Sequence, residues 1–234
     1  MSWDDVTSNR FVLFFDILGF KDLVSRSSHE EVLKKLKKLK GRASKLEIAK
    51  LKKTAQEKYN IDIRQYQTKS VTFSDSIIFF SEGDTTSDFL KILIDSQYML
   101  NEALSIGLAL KGAISYGRIT VDFEQNIFFG QPIIDAFLLH EDLHMLDVIL
   151  DHNCDLQKDK YNNIFINENI KFLNVKMKYG HVSHSIVIPR LSSKIDEKII
   201  LLKKLYYTTS GSPRAYIDNS VKFYESISQE KADV

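Results

Sequence analysis

Two aspartates stand inside short apolar runs: Asp16 in FVLFFDILGFK (residues 11–21) and Asp75 in VTFSDSIIFF (residues 71–80). Taking a carboxylate out of water costs several kcal/mol unless something compensates its charge. Two such groups at the ends of separate strands point to a shared divalent cation, which prefers hard oxygen donors. Gly19 and Phe20 follow Asp16 at once, where the strand should turn into a helix. Backbone N–H groups at such a turn suit phosphate oxygens. Carboxylates for metal beside amides for phosphate read as a nucleoside triphosphate site. Either aspartate taken alone reads equally as an N-cap for the next helix.

The elements that must hold these residues follow from periodicity. Residues 10–18 read as a buried strand, since a continuous apolar run is bounded by polar residues. Ser28 with Glu31 forms a capping-box signal for a helix of about 30 residues, striped by Val32, Leu36, Leu39, Ala43 and Leu46 and weakened at Gly41. Residues 67–81 are β-rich, and Glu82-Gly83-Asp84 is a turn signal. Asp88–Ile106 reads as an amphipathic helix, 109–120 and 125–129 as a hairpin, and Pro132 as the first turn of a helix. Further strands are expected at 163–167, 172–178 and 182–189, and a final helix at 214–229. Strand, helix, two strands, helix, two strands, helix is the order of a ferredoxin-like split βαβ arrangement.

Composition sets the limits. The 234 residues have 44% hydrophobic and 11% aromatic content, with 3 Pro and 9 Gly, which suits one domain with ample core and few linkers. The sole cysteine, Cys154, excludes an intramolecular disulfide and fits a reducing cytosol. MSWDDVTSNR has no basic-then-apolar leader pattern, and no apolar run approaches the ~20 residues of a membrane span, so a cytoplasmic location is expected. Net charge is +1, yet residues 29–60 hold eleven Lys or Arg against four Glu. That block carries only Tyr59 for stacking, so it reads as a solvated or self-associating helix face and nucleic acid is not expected as a partner.

Four segments in order resemble the class III nucleotidyl cyclases: FFDILGFK (14–21), TFSDSIIFF (72–80), LKGAISYGRI (110–119) and FFGQPIIDAFLLHE (128–141). Counted from the start of the strand at Phe11, they span residues 11–141, about 56% of the chain. The resemblance implies an α+β, ferredoxin-like cyclase catalytic domain with a central antiparallel sheet and flanking helices. It would fill residues 1–234, with a core at 10–145 and C-terminal strands and helix at 160–230. It further implies two divalent cations, Mn²⁺ or Mg²⁺, held by Asp16, Asp75 and the Ile17 carbonyl. Gly19, Phe20 and Lys21 would hold the phosphates with Lys111, Tyr66 would face the base, and two copies would form a homodimer.

The departures narrow the substrate. Purine cyclases place a base-reading lysine four residues before the second metal aspartate, where this chain has Val71. Their helix after the glycine carries an Asn and an Arg, where this chain has Ile134 and Leu138. FSDS around Asp75, with Asp135-Ala136 and Glu141 on that helix, is more similar to the bacterial Pycsar pyrimidine cyclases. That likeness implies UTP, or else CTP, as substrate, and a cyclic nucleotide used as an antiviral signal. Lys111, Arg118, Lys69 and Arg214 are candidates for the cation that the family's Arg would supply. The same departures fit an inactive cyclase-fold module that binds nucleotide or a partner.

One rival motif needs weighing. Residues 140–144 spell HEDLH, matching H-E-x-x-H, in which two His on one helix face hold zinc beside a basic Glu. A third ligand is missing at protease spacing: His152 comes too late for one pattern, and Glu168 sits in an expected strand-turn segment (IFINENI), not a helix. The cyclase-like reading makes HEDLH simply the end of the helix after Gly130. No P-loop, G-x-G-x-x-G or G-x-S-x-G occurs.

Overall fold

The computed structural model describes residues 3–41, 67–161, 163–188 and 192–232. The run Phe11–Phe15 forms the middle of strand β1 (Thr7–Leu18), which lies between β3 (Ser76–Ser81) and β4 (Ala109–Asp122) and is buried on both faces. A strand covered on both faces need not alternate, which accounts for the unbroken apolar run. β2 (Thr68–Phe73) forms a hairpin with β3. Helices α1 (Phe20–Arg26) and α2 (His29–Gly41) follow β1, and α3 (Thr86–Ser105) joins β3 to β4. The spatial order β2-β3-β1-β4, all antiparallel, is the expected split βαβ core.

The sheet then extends past β4. β6 (Val148–Leu150) joins it in parallel, followed by β8 (Gly180–Val187) and β7 (Ile170–Met177), while β5 (Ile127–Phe129) pairs the far end of β4. The result is a mixed, mostly antiparallel sheet with helices on both faces, as the α+β expectation requires.

Alternation along β1 divides the core. Phe11, Leu13, Phe15 and Ile17 share one cluster with Phe89, Leu93 and Leu100 of α3, and Phe11 stacks on Phe89 at 4.6 Å. Thr85 and Asp88 close a reciprocal capping box at the start of α3. Phe14 packs in a second cluster with Ala113 and with Ala136 of helix α4 (Gln131–Asp142). Gly130 must be glycine for this helix to approach the sheet, since a Cβ there would lie 2.9 Å from the Ile119 Cα.

The C-terminal part contains α5 (His152–Tyr161), α6 (Ile164–Asn169), α7 (Ser192–Lys204), a 3₁₀ turn (Leu205–Tyr207) and α8 (Arg214–Ala232). α7 and α8 pack together through Ile195, Leu202, Ile217 and Tyr224. Beneath them a buried polar triad joins Asp147 to Lys198 at 3.2 Å, Lys198 to the Tyr224 hydroxyl at 2.6 Å, and Tyr224 back to Asp147.

Several elements differ from expectation. The strand expected at 163–167 is helix α6, because the Asn163 side chain and carbonyl accept the Ile166 and Asn167 amides and start a helical turn. The strands expected at 172–178 and 182–189 run as Ile170–Met177 and Gly180–Val187. Helices α5 and α7 and the short β6 had not been anticipated. The Ser28–Glu31 capping box is present, with the Glu31 amide donating to Ser28 Oγ at 3.2 Å. The helix it starts is described to Gly41, and its expected continuation lies outside the described residues, as does Tyr66. Among the described residues, no helix is long and apolar enough to cross a membrane.

Candidate active site

Asp16 lies near the end of β1, directly opposite Ser76 on β3 and Lys111 on β4, so these three side chains share the α4 face of the sheet. Asp75 sits in the two-residue turn between β2 and β3, where Ser74 takes the left-handed conformation at φ 55°. The Ile17 amide donates to the Asp75 carbonyl at 3.0 Å, fastening the hairpin tip to the strand that carries Asp16. The two sequence-predicted metal aspartates are thereby brought together, with the Ile17 backbone between them. Burial pushes the Asp16 carboxyl up to about 6, and the nearby Asp75 charge pushes the same way, while Lys111 opposes. Glu141 adds a further upward push.

The turn after β1 has a specific geometry. Gly19 takes φ 75°, a left-handed conformation that costs a side-chain-bearing residue about 1–2 kcal/mol. It is the N-cap of α1 and offers no side chain, and the first intrahelical bond there is Leu23 N–H to the Gly19 carbonyl at 3.0 Å. The amides of Phe20, Lys21 and Asp22 therefore lack acceptors within the helix. Phe20 packs partly against the main core, and Lys21 is exposed.

Lys111 is buried, and its ammonium donates to the His140 carbonyl at 2.9 Å, with Glu141 and Leu143 carbonyls at 3.4 Å. It caps the C-terminal end of α4, where a cation meets the negative end of the helix dipole. Burial lowers its pKa, and the Glu141 and Asp16 charges resist that shift. The other cations considered lie elsewhere. Lys69 stands over the Trp3 ring at 4.5 Å. Arg118 is opposite Asn9, seven residues or about 23 Å along β1 from Asp16. Arg214 donates to the Thr209 and Tyr206 carbonyls and braces a loop.

Two neighbours of the site carried no local sequence signal, Lys178 and Tyr216, and they join Glu141, which the sequence marks only as the end of the helix after Gly130. The β7–β8 turn is tied to the end of α4, with Lys178 N–H donating to the Asp142 carbonyl at 2.8 Å and His144 N–H to the Lys176 carbonyl at 2.9 Å. This docking puts Lys178 Nζ 3.3 Å from the Glu141 carboxylate. From α8, the Tyr216 ring lies 5.3 Å from the Lys111 ammonium. Its phenol is raised chiefly by burial; Lys178 opposes this, while Glu141 and Asp16 reinforce it.

The two histidines of HEDLH part company. α4 ends at Asp142 and Leu143 is extended, so His144 lies beyond the helix, with its ring 4.2 Å from Tyr216. His140 points inward against Phe14 at 4.7 Å, and burial followed by the Lys111 charge pushes it down to about 4. The His pair needed for an i, i+4 zinc site is not formed. Among the described residues, no group of three or more His, Cys, Asp or Glu is placed to hold a metal ion. At Asp16 and Asp75 the structure offers two carboxylates and backbone oxygen. Such hard donors fit Mg²⁺ or Mn²⁺, with substrate and water oxygens completing the shell.

No family model matches this chain, and no curated protein does. Among solved structures, it is similar to the catalytic core of a rhodopsin-guanylyl cyclase with converted specificity in complex with ATPalphaS, at 14% identity and TM-score 0.43, covering 79% of this chain and 97% of that one. A bacterial light-regulated adenylyl cyclase gives 11% identity and TM-score 0.42 over 85% of this chain and 58% of that one. A class III adenylyl cyclase-like ATP-binding protein from Pseudomonas aeruginosa gives 12% and 0.38 over 64% of this chain and 35% of that one. Likeness at this level carries no argument about activity, which has to be made from the site itself.

Proposed function

We propose that this protein is a metal-dependent nucleotidyl cyclase that converts a pyrimidine nucleoside triphosphate, UTP ahead of CTP, to its 3′,5′-cyclic monophosphate and pyrophosphate. The observation that carries this reading is the Asp16–Asp75 pair: two carboxylates brought together at a strand end, one of them pushed up to about 6 by burial and by the other's charge. Such a pair is under electrostatic tension that a cation relieves. Asp16, Asp75 and the Ile17 carbonyl would hold the cations. When bound, two Mn²⁺ or Mg²⁺ ions neutralise the triphosphate and acidify the ribose 3′-hydroxyl. The open amides of Phe20 and Lys21, four and five residues after Asp16, would orient the phosphates. Lys111 sets a positive charge beside the pair, although it is committed to the α4 carbonyls.

Pyrimidine selectivity rests on the sequence resemblance and on Val71, an apolar residue in the β2–β3 hairpin opposite Ile78. A role as an antiviral signalling enzyme rests on that resemblance alone. Homodimerisation is supported by Phe129, Ile134, Phe137 and Leu138, which are 62%, 51%, 44% and 57% exposed along one stretch of β5 and α4. Ile134 and Leu138, hydrocarbon in place of the polar pair of purine cyclases, also favour a second reading: a cyclase-fold module that binds nucleotide without turnover.

The test is incubation of the purified protein with each of the four NTPs and Mn²⁺, followed by chromatography of the products. Cyclic UMP or cyclic CMP is expected. A cyclic purine as main product would refute the pyrimidine assignment, and no cyclic product from any NTP would leave the binding-module reading.

A further inference from the structure

A cavity of about 270 Å³ opens behind the Gly19 turn, between α1, α2, the α3–β4 connection and the loop that precedes α8. Neither Asp16 nor Asp75 lines it. Its walls carry two cations from different helices, Arg26 of α1 and Lys35 of α2, and the hydroxyls of Thr208 and Ser210 on the opposite loop. Among the described residues, neither Arg26 nor Lys35 has an ion pair. One carboxylate, Asp22, shares the cavity and leaves the lining net positive. Apolar groups line it as well, Leu108 and Pro213 among them.

The loop wall is braced from outside. Arg214 donates to the Thr209 carbonyl at 2.9 Å and to the Tyr206 carbonyl at 2.8 Å, and Thr208 Oγ1 donates to the Leu205 carbonyl at 3.2 Å. A concave site lined by cations, hydroxyls and apolar groups has the make-up of a small-molecule pocket. A guanidinium paired with an ammonium selects phosphate in particular, the first by its planar fork and the second as a point charge.

We propose that this cavity is a second anion site, which takes a phosphorylated small molecule by its phosphate, with Arg26 and Lys35 as the phosphate ligands, Ser210 as a donor to the hydroxylated body and Thr208 Oγ1 as an acceptor from it. Gly19 and Leu18 form part of its wall, so an occupant braces the turn that follows Asp16 from behind. It shares Ile17 and Gly19 with the end of β1 and its turn, includes neither aspartate of the pair, and does not depend on the cyclase reading.

Isothermal titration calorimetry of the full chain, without added divalent metal, tests this with inorganic pyrophosphate and ribose 5-phosphate as probes. Saturable 1:1 binding of at least one probe is expected in wild type, unchanged in the Asp16→Asn/Asp75→Asn double variant and at least tenfold weaker in Arg26→Glu and in Lys35→Glu. Arg26→Gln and Lys35→Gln should weaken it less, and circular dichroism melting reports whether each variant is folded. No saturable binding of either probe by wild type would overturn the proposal. So would binding that survives both charge reversals in folded protein, or binding that disappears with the aspartate pair. Binding that meets these expectations in a protein that makes no cyclic nucleotide would sink the cyclase reading and leave this site standing.

Discussion

Asp16 and Lys111 face each other across neighbouring strands, yet the ammonium is turned to the last carbonyls of α4 and not spent on the carboxylate alone. One cation therefore does two jobs. It terminates a helix, and it holds down the pKa of a carboxyl that burial and Asp75 drive up.

Lys111→Met should separate these roles. Loss of the buried donor leaves the His140 carbonyl unsatisfied and should cost on the order of 1–3 kcal/mol, read from urea unfolding. In the same variant the Asp16 carboxyl should titrate above its wild-type value of about 6, because an opposing charge is gone. A carbon-detected NMR titration checks it, and an unchanged Asp16 pKa would remove Lys111 from the electrostatics of the site.

The raised Asp16 pKa fixes a pH dependence. The folded value, about 6, lies above the ordinary 3.8, so the folded state binds the extra proton more tightly than the unfolded chain. For this group, metal-free stability is therefore greatest below about pH 4 and falls as pH rises through 6. Asp16→Asn should remove that component and stabilise the metal-free protein at pH 7 by on the order of 1–2 kcal/mol after solvent screening. Turnover and Mn²⁺ affinity should move the other way. Both should rise through pH 6 in wild type, and the variant should lose turnover by orders of magnitude. A variant that melts lower than wild type at pH 7 without metal would contradict the tension assigned to the pair.

Asp147, Lys198 and Tyr224 anchor the C-terminal helices. Burial pushes the Asp147 carboxyl up and the Lys198 ammonium down, and each charge holds the other partly in place. Lys198→Met strands a buried carboxylate and should cost about 3–5 kcal/mol, whereas Asp147→Leu/Lys198→Met together should recover much of that loss. Denaturant melts of wild type, both single variants and the double variant check the cycle. Losses that simply add in the double variant would argue against coupling.

Leu138→Glu should test the apolar stretch on α4. The side chain is 57% exposed, so the fold should tolerate the charge within about 0.5 kcal/mol. If two copies meet on this face, the variant should sediment as a monomer where wild type sediments as a dimer. Identical sedimentation of the two proteins would remove this face from the assembly.

Much of this was legible in the chain because its strongest signals are local. The run at Phe11–Phe15 declares a strand covered on both sides, and Thr85 with Asp88 or Ser28 with Glu31 announce helix starts through their own side chains. Asp16 and Asp75 stood out because a carboxylate amid hydrocarbon is costly anywhere. What escaped was set by neighbours distant in sequence. Val148–Leu150 is three residues long, and its strand character comes from pairing with β4. The stretch from Ile164 has strand-like residues, yet one asparagine cap turns it into a helix. Glu141 and Lys178 meet because the β7–β8 turn docks on the end of α4, which no spacing encodes. The HEDLH string failed as a metal motif for a related reason: α4 stops at Asp142, before its second histidine.

The bond from the Ile17 amide to the Asp75 carbonyl makes the distance between the two acidic residues a property of main chain, not of rotamers. A single proton thus gauges the closure of the site. It can exchange with solvent only when the hairpin tip lifts from β1, a strand paired on both sides by β3 and β4. Opening the aspartate pair therefore means loosening the centre of the molecule, and a cation or nucleotide that bridges the pair would register as slower exchange at that one amide.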